Sequence, residues 1–202
     1  NGYLTLLSTA TRRPIDIVEI SCPGARDAMF NMDDSKIFTT CQQEPKGMAV
    51  IDVESRKEIK MVPIKGGRAG GMDPQGKYFM VSASKSVHFF DSQTAELVKT
   101  IKVPGGGGNF TCLKDGSKCY VGLRKANAVG VIDMAKLELM KTIETGPDAN
   151  RLYLNPGNSR YGLFANEAGK SDIVSIIDTQ KDVKVKDIWT GCLLYTSPSP
   201  RD

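Results

Sequence analysis

One hairpin motif recurs four times along this chain. The copies are Asn31-Met-Asp-Asp34-Ser-Lys-Ile-Phe, Asp73-Pro-Gln-Gly76-Lys-Tyr-Phe-Met, Leu113-Lys-Asp-Gly116-Ser-Lys-Cys-Tyr and Asn155-Pro-Gly-Asn158-Ser-Arg-Tyr-Gly. The fourth position of each copy (Asp34, Gly76, Gly116, Asn158) is a residue type that tolerates positive φ. The intervals between those positions are 42, 40 and 42 residues. A period of about forty residues is the mark of an architecture assembled blade by blade.

A second motif keeps the same beat. Apolar runs ending in aspartate follow each turn: Met48-Ala-Val-Ile-Asp52, His88-Phe-Phe-Asp91, Gly130-Val-Ile-Asp133 and Ser175-Ile-Ile-Asp178. Each is followed by a polar turn and a strand rich in β-branched residues, as in Leu97-Val-Lys-Thr-Ile101 and Leu139-Met-Lys-Thr-Ile143. A degenerate copy opens the chain, with Ser8 where the others carry aspartate. Every repeat thus reads as four short antiparallel strands, A to D, with the aspartates Asp52, Asp91, Asp133 and Asp178 fixing the C–D turn through backbone N–H groups. Turn-making, rather than catalysis, is the expected role of these carboxylates.

A single blade cannot bury both of its faces, so neighbours must stack around an axis. The expected fold class is all-β: a β-propeller of about four and a half four-stranded antiparallel blades, an arc of a larger ring. The segments Ala128-Val-Gly-Val-Ile-Asp133, Met140-Lys-Thr-Ile-Glu-Thr-Gly-Pro147 and Tyr161-Gly-Leu-Phe-Ala-Asn-Glu167 resemble the YVTN-type propeller repeat, a WD-repeat-like group that includes lactonase-like proteins. The resemblance covers residues 1–191. It specifies fold rather than activity, because propellers host many unrelated functions. The expected organisation is a half blade at 3–20, then blades at about 27–62, 68–102, 109–144 and 150–189.

Residues 192–202, Cys192-Leu-Leu-Tyr-Thr-Ser-Pro-Ser-Pro-Arg-Asp202, break the rhythm. Their back-translation resembles a transposon-end sequencing adapter read in frame, which makes them an expected artefact to be left out of fold reasoning. The chain also starts with Asn1, inside what reads as a C strand. It is therefore expected to be a fragment.

Lys and Arg number 27 against 23 Asp and Glu, a formal charge of +4. That is short of the concentrated positive field of a nucleic-acid binder. No apolar run is long enough to span a membrane as a helix. Outside the tail the cysteines are Cys22, Cys41, Cys112 and Cys119, in no zinc-binding pattern. Cys112 and Cys119 flank one hairpin. If Lys114-Asp-Gly116 form its turn, Cys112 faces Lys118, Cys119 faces Thr111, and the sulfurs project to opposite sheet faces. A four-residue loop would reverse that register. The expectation is small buried apolar cysteines rather than a disulfide.

His88 is the sole histidine. Its odd spacing from Asp91 puts the two on opposite faces of a strand, so a structural or surface role is expected rather than a catalytic dyad. No catalytic residue, metal site or cofactor motif is evident.

The loops joining strand D to the next strand A carry more chemistry. In propellers these loops, with the B–C loops, form the face where ligands usually sit. Counting back eight from each turn position gives Arg26, Arg68, Gly108 and Asn150, flanked by Asn109 and Arg151. The B–C loops add Lys46, Lys85, Arg124, Lys125 and Lys170, with Glu44 and Glu167 offsetting part of the charge. Arg26, Arg68, Asn109, Arg124, Asn150 and Arg151 form a candidate cationic rim for carboxylates or phosphates. The plainer reading, solvated surface charge, carries more weight because Arg and Lys are mostly exposed anyway. The glycine runs at 66–71 and 105–108 lack the context of a phosphate loop and read as tight connections into crowded inner strands.

Three functions fit. The first is a non-catalytic propeller that binds a protein or an anionic small molecule on its loop face. The second is the propeller of a periplasmic redox protein of haem- or quinone-linked type, although CxxCH is absent from the sequence. The third, implied by the resemblance alone, is a lactonase-like hydrolase. The same resemblance points outside the cytoplasm, where unpaired cysteines would sit uneasily.

Overall fold

A computed structural model describes residues 2–155, 157–167 and 173–190; Lys170 and the tail at 192–202 lie outside the described residues. Chain packing separates two compact units, Asn1–Thr100 and Ile101–Asp202.

The first unit opens with a two-stranded antiparallel sheet, β1 (Gly2–Leu7) and β2 (Pro14–Ile20). A four-stranded meander follows: β3 (Ala25–Phe30), β4 (Lys36–Cys41), β5 (Gly47–Asp52) and β6 (Lys57–Pro63). The next sheet holds β7 (Ala69–Met72), β8 (Tyr78–Ser82), β9 (Ser86–Asp91) and β10 (Leu97–Lys102), in the spatial order β10-β9-β8-β7. In the second unit β11 (Phe110–Cys112), β12 (Lys118–Leu123), β13 (Ala128–Asp133) and β14 (Glu138–Glu144) form one meander. Its neighbour comprises β15 (Ala149–Leu154), β16 (Tyr161–Asn166), β17 (Ile173–Asp178) and β18 (Val183–Trp189). The architecture is all-β, in four-stranded antiparallel blades.

Inner strands read as continuous apolar runs because both faces of their sheets are covered. In β4, every residue from Ile37 to Cys41 is buried. Phe38 of β4 stacks on Phe79 of β8 with ring centroids 5.0 Å apart, inside a cluster with Met48, Val50, Val81 and Phe90. Val18 and Ile20 of β2 pack with Ile37, Ala49 and Ile51 of the following sheet. In the second unit Tyr120 meets Phe164 edge-on at 6.0 Å, in a cluster with Val129, Val131, Leu152 and Ile177. Burying one such ring fully is worth about 2–3 kcal/mol.

The turns behave as their residues require, with two corrections. Asp34, Gly76 and Gly116 adopt φ of 58°, 66° and 71°. Their loops are four residues long, closed by bonds such as Leu113 N to Lys118 O at 2.9 Å and Gly116 N to Leu113 O at 2.9 Å. That register sets Cys112 directly opposite Cys119, and the two form a disulfide. The expected three-residue turn placed the sulfurs on opposite faces; one extra loop residue turns every side chain of the strand over. Cys22 and Cys41 form a second disulfide, which the spacing did not suggest. In the fourth hairpin the left-handed residue is Ser159 (φ 53°) rather than Asn158. The loop is one residue longer there, closed by Asn155 N to Tyr161 O at 2.9 Å, and the Asn158 Oδ1 accepts from Arg160 N at 3.0 Å instead.

The C–D aspartates cap their turns. Asp52 Oδ1 accepts from Ser55 N at 2.8 Å, and Asp133 Oδ1 from Ala135 N and Lys136 N at 2.9 and 3.0 Å. Asp178 Oδ1 does the same for Gln180 N and Lys181 N at 2.9 and 3.1 Å. Four residues after each aspartate, Arg56, Ala95, Leu137 and Asp182 take left-handed φ between 52° and 58°.

Removal of the Cys22–Cys41 link, as Cys22→Ala with Cys41→Ala, should cost about 3 kcal/mol, given the 19-residue separation it closes. Urea midpoints of the two proteins measure it.

Asp91 gives a pH signature. It accepts from Thr94 N at 2.8 Å, Gln93 N at 2.9 Å and the Thr94 hydroxyl at 3.1 Å. These bonds, the Thr94 amide first, hold its carboxyl below the ordinary value. The stabilisation is present above the unfolded pKa of about 4 and is lost as pH falls through the lower folded value. Asp91→Ala should therefore cost about 1 kcal/mol at neutral pH. The difference in urea midpoint from wild type should close on acidification, and a pH-independent difference would contradict this account.

Candidate functional site

The residues of the expected rim sit at the ends of the innermost strands and in the loops beside them. In the first unit Arg26 lies on β3, where a bulge between Arg26 and Met29 is accompanied by left-handed Asp27 (φ 53°). Its guanidinium meets the Asp27 carboxylate at 3.3 Å, and Asp27 in turn accepts from Gly70 N at 3.2 Å. Arg68 projects an exposed side chain, while its backbone O accepts from the Thr40 hydroxyl and the Gln42 amide, both at 3.3 Å. The Thr40 hydroxyl also reaches Arg26 O at 3.1 Å, so one side chain joins the two inner strands. The adjacent Gly70 has no space for a side chain: a Cβ there would stand 2.6 Å from the Phe79 ring and 2.9 Å from Thr40 Cγ2.

In the second unit Arg124 opens a short 3-10 turn, Arg124–Ala126, between β12 and β13. It grips Asp148 through Nε and Nη2, the latter at 2.6 Å. Asn127, left-handed at φ 50°, holds the other side of that clasp: its Oδ1 accepts from Asp148 N at 3.2 Å and its backbone O from Thr145 N at 2.9 Å. Glu167 is the second hub. Its carboxylate accepts from Asn150 Nδ2 at 2.6 Å and meets Arg151 Nε at 3.3 Å, with Arg124 Nη2 at 3.9 Å. Arg151 is the more open of these arginines, with 42% side-chain exposure against 15% for Arg124. Asn109 N donates to Asn150 O at 3.1 Å, and its Oδ1 is buried with no hydrogen-bond partner among the described residues. Gly108 and Gly122 let these backbones touch, since a Cβ on Gly108 would come 2.6 Å from Gly122 Cα.

Three of the rim arginines thus carry a carboxylate in contact: Arg26 with Asp27, Arg124 with Asp148, and Arg151 with Glu167. Glu167 was visible as an offsetting charge in the sequence. Asp27 and Asp148 were not counted, although Asp27 directly follows Arg26 and Asp148 lies within the D–A loop. Of this cluster Arg151 is the member open to solvent, a guanidinium that can pair with a carboxylate, whereas Asn150 and the Asn109 Oδ1 are buried.

His88 lies apart, on β9. Its ring nitrogens meet the Ser86 hydroxyl (2.9 Å, Nε2) and the Thr100 hydroxyl (3.1 Å, Nδ1), and burial lowers its pKa. It is thereby held neutral near pH 7 between two hydroxyls, while Asp91 is engaged in its own turn. Among the described residues no group of three or more His, Cys, Asp or Glu side chains is placed to hold a metal ion. No described helix is long and apolar enough to cross a membrane.

Comparisons with known proteins fix the class. No family profile matches the sequence, and no curated protein matches it. Among solved structures, Kuenenia stuttgartiensis hydrazine synthase is similar over 86% of this chain and 51% of its own, at 22% identity and a TM-score of 0.72. A functionally unknown protein from Desulfotomaculum acetoxidans DSM 771 is similar over 95% and 64%, at 14% identity and a TM-score of 0.74. Dihydro-heme d1 dehydrogenase NirN, solved in complex with DHE, is similar over 94% and 42%, at 16% identity and a TM-score of 0.70. The fold is that of a β-propeller. The chain spans 42% to 64% of the length of these structures.

The clasp at Arg124 predicts its own energetics. Arg124→Ala leaves the Asp148 carboxylate, 25% exposed, without its bidentate partner, and should cost about 2–3 kcal/mol. A double-mutant cycle with Asp148→Ala should show a coupling of at least about 1 kcal/mol in urea unfolding. Additive losses would mean that the pair is energetically idle.

Proposed function

We propose that this chain is part of the propeller of an extracytoplasmic redox protein, and that its loop face recognises the carboxylates of a tetrapyrrole-class cofactor. The observation that carries the reading is the polar cluster at the end of β15, where Arg151, with 42% of its side chain exposed, converges with Asn150 on Glu167. Two disulfides support an oxidising compartment. The fold likeness to hydrazine synthase and to a dehydrogenase bound to DHE supports the redox assignment over a scaffold with no cofactor nearby. We also read the repeat as YVTN-type, on the strand and turn residues quoted above.

The residues present suit the periphery of such a group and not its metal. His88 has both ring nitrogens engaged by hydroxyls within β9 and β10, so an axial imidazole does not come from this chain in this geometry. Arg151, the open member of the cluster, would hold a ring carboxylate. Because Glu167 already occupies Arg151, an incoming carboxylate must share or displace that partner, which favours moderate affinity and a selective orientation. Arg26 and Arg68 offer a second, separate pair of cations in the first unit.

The test is a spectroscopic titration of the chain with ferric protoporphyrin IX and with its dimethyl ester. The free dicarboxylate should bind and the ester should bind more weakly. Arg151→Ala should weaken the dicarboxylate about 10- to 100-fold, the range for losing a charge-assisted bond. Equal binding of acid and ester, or no effect of Arg151→Ala, would sink the proposal. In that event the non-catalytic binding propeller, whose ordered loop network needs no cofactor, becomes the leading reading.

A further inference from the structure

The two disulfides differ in what surrounds them. Cys22 and Cys41 are both fully buried, and Cys41 Sγ lies 3.9 Å from Met61 Sδ within a packed apolar cluster. Cys41 sits on β4, which pairs along its whole length with β5 and also pairs with β3. Cys119 is likewise fully buried, but Cys112 is partly exposed. It ends β11, a strand of three residues with three residue pairs to β12. The segment leading into β11 is Pro104-Gly-Gly-Gly-Gly-Asn109, with Gly105 and Gly107 at φ of 156° and 89°. Phe110, Thr111 and Cys112 are only half-buried, so β11 is less covered than β4, whose residues from Ile37 to Cys41 are all buried.

We propose that Cys112–Cys119 is a thiol-exchange site for a dithiol reductant of the thioredoxin class, and that Cys22–Cys41 is a structural link that does not exchange. Exchange requires a thiolate to approach one sulfur in line with the bond, so access decides which disulfide reacts. The attacking thiolate reaches the Cys112 sulfur, a mixed disulfide forms there, and the Cys119 thiolate leaves and takes up a proton. The second thiol of the reductant, as its thiolate, then attacks its own sulfur in the mixed disulfide and releases Cys112, which is protonated in turn. Two electrons and two protons pass to this chain, and the reductant becomes a disulfide.

The consequence falls on the loop face. Asn109 directly precedes β11, bonds through its backbone N to Asn150 O, and accepts through its backbone O from Gly122 N at 3.1 Å. Cutting the covalent tie at Cys112 frees the strand that positions Asn109 against Asn150. The redox state of one hairpin therefore sets the order of the second unit's polar cluster. This holds whatever ligand the loop face takes.

The experiment is limited reduction of the whole folded chain with dithiothreitol, then with thioredoxin, followed by alkylation and mass spectrometry. Cys112 and Cys119 should become alkylated at least about tenfold faster than Cys22 and Cys41. In the selectively reduced protein, amide exchange at residues 109–113 should rise while that at residues 36–52 stays unchanged. The variant Cys112→Ala with Cys119→Ala should reproduce the same local increase. Equal rates at the two disulfides, earlier reduction of Cys22–Cys41, or unchanged exchange at residues 109–113 would each overturn the proposal.

Discussion

Face-to-face burial of small sheets is the constraint on which this structure depends. A four-stranded sheet of strands three to seven residues long has too little core of its own, and it becomes stable only when another sheet covers it. The Phe38–Phe79 stack in the first unit and the Tyr120–Phe164 contact in the second are where that covering is made. Both sides of strands such as β4 and β13 are consumed by it. Side chains on those strands have no freedom left for chemistry, so polar function is displaced to strand ends and loops. The exposed apolar residues mark the same rule from the other side. Leu163 on β16 is 46% exposed, whereas Tyr120, at the matching position on β12, is fully covered by the neighbouring sheet.

The fold was legible because its punctuation is chemical. A left-handed residue is needed once per A–B hairpin, and a carboxylate that caps its own turn is needed once per C–D hairpin. Asp34, Gly76 and Gly116 supply the first, and Asp52, Asp91, Asp133 and Asp178 the second. What failed was the count of residues within a turn. Sequence patterns mark that a chain reverses, but loops of three and four residues can carry the same Asp-Gly pair. At Lys114–Ser117 that difference of one residue decided whether Cys112 met Cys119. The fourth hairpin shows the same limit, since its extra residue moves the left-handed position from Asn158 to Ser159.

The loop face was legible by position and only partly by charge. Counting from the turns put Arg26, Arg68 and Asn150 at or just before the innermost strands β3, β7 and β15. The pairing of those charges depends on bulges and left-handed residues that shift a side chain by one place, and sequence spacing does not report these. Asp27 reaches Arg26 because it occupies a left-handed conformation in a bulge, and Asp148 reaches Arg124 because it too is left-handed (φ 62°). The result is a face whose arginines are largely answered by acids. Its electrostatic character then rests on oriented polar groups more than on net positive field.

The repeats differ at the inner strand ends. Four residues beyond the residue paired with the turn aspartate, one sheet carries Thr40 and another carries Gly122. Thr40 bridges the inner strands with its hydroxyl, bonding both Arg26 O and Arg68 O. Gly122 has no side chain, and the backbones close directly, with Asn109 N on Asn150 O. The first arrangement spends a hydroxyl on cohesion and turns an exposed arginine outward. The second achieves cohesion without a side chain and leaves the Asn150 carboxamide on Glu167, which Arg151 also meets. Repetition therefore specifies how the sheets hold together, while departures from repetition at the inner strand ends specify which polar groups the second unit's loops carry.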